Sequence, residues 1–96
     1  MAKTEAFDAS RYLTTPEAQA ELLSDAFASG SAAYVAQALG VIARARGMTE
    51  VAREAGVTRE ALYKSLSEDG DPRLTTLLGV LRALGVTLSA QVKPAV

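Results

Sequence analysis

Three glycines, each followed within two residues by a serine or threonine, constrain this chain more than any other feature: Gly30–Ser31, Gly47–Met48–Thr49 and Gly56–Val57–Thr58. Glycine after a helix takes the left-handed turn that ends it, and a hydroxyl just beyond accepts an amide of the next helix. Thr15, with Pro16 at the first helical position and Glu17 near the positive end of the dipole, makes a further start. Gly85 makes a last stop. This punctuation predicts five short helices: Pro16 to Gly30, Ala32 to about Arg46, Thr49 to Ala55 with Thr49 as cap, Arg59 to about Leu66 with Thr58 as cap, and Pro72 or Leu74 to Leu84. The expected fold class is therefore all-α.

The apolar spacing agrees. The first helix places Ala18, Leu22, Ala26 and Phe27 on one face, and the second places Tyr34 or Val35, Ala38 or Leu39, Ile42 and Ala45. Gly40 costs roughly 1 kcal/mol in a helix interior unless another helix approaches closely there. Small residues from Ala32 to Ala45 suit core packing, the more frequent use, or a dimer contact. Residues 1–8 read as frayed with Phe7 as an anchor, and Ala9 to Leu13 as a short extended piece. Phe7, Tyr12 and Phe27 either form a partner patch or pin the arm to the core. Val86 to Val92 alternates apolar and polar residues, which predicts a short C-terminal strand stopped by Pro94. With 96 residues the chain is expected to be one domain, spanning 1–96.

Composition narrows the chemistry. There is no His, Cys or Trp, so a Cys or His nucleophile, a zinc site of Cys or His ligands and a disulfide are excluded. Glu68, Asp69 and Asp71 lack the regular spacing and distal Glu of a calcium loop, and read as a capping loop. No cofactor and no enzyme activity are expected. The absence of Cys is compatible with a cytosolic protein, no apolar run approaches the ~20 residues that span a bilayer, and no signal peptide opens the chain.

Net charge is −1, but it is unevenly spread. Residues 1–30 carry Lys3 and Arg11 against Glu5, Asp8, Glu17, Glu21 and Asp25, a balance of −3. Residues 31–67 carry Arg44, Arg46, Arg53, Arg59 and Lys64 against Glu50, Glu54 and Glu60, a balance of +2. The basic centre contains residues 49–66, where Ala52, Gly56, Val57, Leu62 and Leu66 sit at helix-turn-helix offsets. The small Ala52 admits a neighbouring helix, Val51 and Val57 plug the angle, and Leu62 and Leu66 face inward. Thr58, Arg59, Glu60, Tyr63, Lys64 and Ser67 then face out. Arg59 suits a bidentate contact to guanine, Lys64 a phosphate, Thr58 and Ser67 phosphates or bases, Tyr63 a phosphate or thymine methyl, and Glu60 a cytosine or Arg59 itself. Arg44, Arg46 and Thr49 complete the candidate DNA-binding set. The competing reading is a solvated face of a helical bundle.

Leu39–Gly40, Ile42–Ala43–Arg44–Ala45–Arg46–Gly47–Met48, Leu62–Tyr63–Lys64, Leu66–Ser67, Gly70–Asp71–Pro72, Thr76–Leu77–Leu78 and Leu84–Gly85 carry a resemblance over Phe7 to Val92. The chain resembles the addiction-module antidote proteins, HigA-like antitoxins with a phage-repressor (Xre/Cro) type helix-turn-helix. At Asp71 that family more often has Asn; both suit a cap on the next helix. The resemblance implies a cytoplasmic bacterial antitoxin with a five-helix repressor-like domain, repression of its own operon as a homodimer, and neutralisation of a RelE/HigB-like messenger-RNA endonuclease toxin. The alternatives are a stand-alone Xre-type repressor without a toxin, and a protein-interaction adaptor without DNA binding. The acidic arm and first helix, residues 1–30, separate the first alternative from the antitoxin reading.

Overall fold

The structure, a computed structural model, describes residues 15–94. The expectations for Phe7, Tyr12 and the Ala9–Leu13 piece lie outside those residues. Five helices follow in order: α1 Pro16–Ser29, α2 Ala32–Arg46, α3 Met48–Ala55, α4 Arg59–Ser65 and α5 Leu74–Leu84. All-α is thus the class of the described residues.

The boundaries follow the capping chemistry at most ends. Thr15 Oγ1 accepts from the Ala18 amide at 3.1 Å and Ser31 Oγ from the Tyr34 amide at 3.1 Å. Gly30 and Gly85 close α1 and α5 at φ 73° and 74°, where an L side chain would be strained. Two caps depart from expectation. The N-cap of α3 is Gly47, without a side-chain bond, so Thr49 lies inside the first turn. Arg73, not Asp71, is the N-cap of α5.

The largest contact joins α3 to α5, while α1 lies on α2 and α4 leans on α3. The core where they meet contains Leu23, Leu39, Ile42, Val51, Leu62, Leu66, Val80, Leu81 and Leu84. Two glycines allow the helices to touch. A Cβ on Gly40 would stand 2.8 Å from the Leu66 carbonyl oxygen at the end of α4. A Cβ on Gly79 would stand 3.1 Å from the Ala55 Cα at the end of α3. Gly40 is therefore a close-approach residue, and its helix-propensity cost is met by packing.

Three sequence expectations are corrected. Ala45 is exposed, whereas Ala36 and Ala43 are buried, because the buried arc of α2 is wide enough to face α1, α3 and α5 together. On α1 the inward residues are Gln19, Leu23 and Ala26, with Ala18, Leu22 and Phe27 half-buried at the edges. Residues 86–94 form no strand in this chain. A strand needs a ladder partner, and the described residues contain no other strand to supply one.

Candidate nucleic-acid interface

The candidate surface is built on α3, α4 and the turn between them. Gly56 leaves α3 at φ 78°, and its amide and that of Val57 turn back to the Arg53 and Ala52 carbonyls at 3.2 and 3.0 Å. That double closure ends the helix and redirects the chain within three residues. Thr58 Oγ1 then accepts from the Ala61 amide at 3.0 Å and starts α4. Val57 packs half-buried against the core, and Val51 and Ala52 are buried beneath it.

Leu62 at 0% exposure and Leu66 at 3% fasten α4 to that base. Because these residues lie one turn apart, the opposite arc must face solvent. Thr58, Arg59, Glu60, Tyr63 and Lys64, together with Ser67 just beyond the helix, are all exposed. The Arg59 guanidinium lies over the Tyr63 ring, 5.6 Å from its centroid. This contact spans one turn and holds the long arginine side chain along the helix surface.

The hydroxyls at the two ends of α4 are engaged differently. Thr58 accepts with its oxygen, which leaves the proton available to a phosphate. Ser67 Oγ donates to the Lys64 carbonyl at 2.9 Å, which leaves only acceptor capacity outward. No carboxylate of the described residues lies within ion-pair distance of Arg59 or Lys64. Arg53, by contrast, is bound by Glu50, with Glu54 at 3.8 Å. The Arg53 donors beside Glu50 hold its carboxyl below the ordinary glutamate range.

The arginines at the end of α2 part company. Arg44 lies back along its helix, its Nη1 3.3 Å from where a Gly40 Cβ would stand, beside the carbonyl end of α4. Arg46 turns the other way. Its Nη1 donates to Gln19 Oε1 on α1 at 2.9 Å and to the Leu84 carbonyl on α5 at 3.2 Å. The fold thus gathers Arg44, Thr58, Arg59, Glu60, Tyr63, Lys64 and Ser67 about α4, leaves Thr49 exposed in the first turn of α3, and draws Arg46 toward α1 and α5. Gln19, buried at 2% exposure, escaped the sequence reading because nothing local marks a glutamine as inward.

These features define a small helical domain that presents an exposed helix, α4, with two cations free of carboxylate partners among the described residues. Its described residues contain no group of three or more metal-ligating side chains and no helix long and apolar enough to cross a membrane. A family model described as probable addiction module antidote protein matches residues 3–92, and the chain belongs to that family. It is also 39% identical over 85 residues, 88% of each chain, to an uncharacterized protein of Haemophilus influenzae. No solved structure matches. An antidote of an addiction module acts against a toxin partner, so membership carries a toxin-directed role in general terms.

Proposed function

We propose that this chain is the antitoxin of a type II toxin–antitoxin module. It represses its own operon by placing α4 in the major groove of operator DNA, and it neutralises a RelE/HigB-like messenger-RNA endonuclease toxin in the cytoplasm. The observation that carries the DNA half is α4 itself. Leu62 and the C-cap Leu66 are buried, and Arg59, Tyr63 and Lys64 stand exposed on that packed base. This is how a helix-turn-helix presents a recognition helix. Arg59 reads a base edge, Lys64, Arg44 and Thr58 hold phosphates, and Tyr63 positions Arg59. Thr49, Glu60 and Ser67 complete the surface. Arg46 is assigned to the fold, because its Nη1 serves both Gln19 Oε1 and the Leu84 carbonyl.

The active form on DNA is a homodimer. The contact is expected on α5, where Leu74 at 67% and Leu78 at 43% exposure stand one turn apart. Family membership favours this reading over a stand-alone Xre-type repressor. The test is a mobility shift with the DNA upstream of the chain's own gene, repeated with the co-expressed product of the adjacent reading frame. A specific shift, together with rescue of growth from that product, is expected. No shift removes the repressor half, and no rescue removes the antitoxin half.

A further inference from the structure

Away from α4, a groove of about 650 Å³ runs between α1 and residues 86–94. Ala20, Leu23, Ser24, Phe27 and Ala28 form one wall, and the tail from Val86 to Pro94 forms the other. The tail is irregular and belongs to no helix or strand. The Val86 amide donates to the Leu81 carbonyl, but among the described residues no backbone bond involves residues 87–94. Leu88 is 44% exposed and Val92 95% exposed. Amides without a backbone acceptor among the described residues, beside apolar side chains, are the two halves of a strand-addition site, where main-chain bonds supply affinity and side-chain pockets supply selectivity.

The rim of this groove is charged. Glu17 and Glu21 are three and four residues from Ala20, Ser24 and one another, so they stand on the edge of α1 beside the groove wall. Asp25, one turn further on, faces α2 instead, where it accepts a hydrogen bond from the Tyr34 hydroxyl. No described cation lies within ion-pair distance of these carboxylates, and the tail carries one cation, Lys93. Desolvating that row calls for positive charge on the occupant.

We infer that this groove is the docking site for an extended segment of the toxin partner, cationic and apolar by turns, which adds to residues 87–93 as a strand and pairs with Glu17 and Glu21. The inference rests on the antitoxin reading above and adds its surface. Charge decides between occupants. A second copy would bring one tail lysine and repeat the same acidic row against itself. Residues 1–14 carry Lys3 and Arg11 against Glu5 and Asp8, a balance of zero. DNA would set phosphates against the carboxylates.

The test uses the full chain and the product of the adjacent reading frame as probe. Ser24→Arg fills the groove, and Glu17→Lys with Glu21→Lys reverses its rim; all three positions are exposed. Each variant is expected to keep its helical circular dichroism and operator shift. Each should bind the probe about tenfold or more weakly, the scale of loss at a well-packed interface position. Hydrogen exchange on the wild-type complex should slow the amides of residues 87–93. Equal binding by wild type and variants, or tail amides that stay fast in the complex, would overturn the groove and leave the antitoxin reading standing. A wild-type chain that shifts its operator yet does not bind the probe would overturn both. Tail amides already slow in the free chain point to another occupant and also overturn the inference. Release of that protection on dilution to monomer marks a second copy, and release on deletion of residues 1–14 marks the amino-terminal segment.

Discussion

Gly40 and Arg46 each tie one helix to another through a single residue. Adding a methyl at Gly40 gains roughly 1 kcal/mol of helix propensity but sets its Cβ 2.8 Å from the backbone carbonyl oxygen of Leu66. Overpacking of this kind costs about 1–3 kcal/mol, so Gly40→Ala is expected to lower the urea midpoint at unchanged slope. A raised midpoint would mean that the end of α4 yields freely. Arg46 is a matter of polar satisfaction. Removing its guanidinium withdraws donors from the Gln19 oxygen and from a carbonyl in the last turn of α5. Hydrogen bonds to charged groups contribute about 1.5–3 kcal/mol, and the partly buried setting places Arg46→Ala toward the lower end. The same variant is expected to leave the salt slope of operator binding unchanged. A shallower slope would return Arg46 to the phosphate contacts.

Between helices, the proposed function divides the outward arc of α4 into residues that read and residues that hold. Arg59→Ala is expected to relax discrimination at one base pair by about 1–3 kcal/mol, whereas Lys64→Ala should weaken all sequences alike and lower the salt slope by about 0.9 per subunit. Competition titrations with operator and random DNA at several salt concentrations separate the two; equal loss on both DNAs for Arg59→Ala would refute its base contact. Helix α3 has its own signature in pH. Glu50 titrates below the ordinary glutamate range because Arg53 donates to its carboxylate. A folded value below the unfolded one stabilises the chain above the unfolded value, and that contribution is lost as pH falls through the folded value. Carboxyl NMR should therefore find Glu50 depressed, and Arg53→Ala should move it upward toward the ordinary range.

At the scale of the whole molecule, two surfaces point to two partners. The α4 face is basic in its unpaired residues, and the α1 groove is acidic at its rim. This separation allows operator and toxin to be held on different sides. Dimerisation through α5 would set two copies of α4 on successive turns of one DNA face, so a near-palindrome with half-sites about 34 Å apart is expected. Leu74→Glu with Leu78→Glu should yield a monomer in sedimentation and lose cooperative binding to that palindrome. Deleting residues 86–96 should leave the dimer intact. A truncated chain that sediments as monomer would move the contact to the tail.

Helix number, most helix ends and the inward residues of α4 were legible in the sequence, since each depends on groups within about four residues of one another. The hydroxyls of Thr15, Ser31 and Thr58 reach amides three residues ahead, and Leu62 and Leu66 share a face through the helical repeat alone. The exposed set around Arg59 and Lys64 follows from that same repeat. Contacts made across long stretches of chain were not legible. Arg46 reads as a surface cation until α1 and α5 bring it acceptors 27 and 38 residues away. The reason for Gly40 lies in Leu66 at the end of another helix, and buried Gln19 meets Arg46 from a distant part of the chain. The alternating tail displays strand propensity, but a strand also requires a second backbone to receive its hydrogen bonds. Local hydrogen bonds and side-chain period determined the helices; only the packed arrangement decided which cations remain for a ligand, because pairing depends on distance in space rather than along the chain.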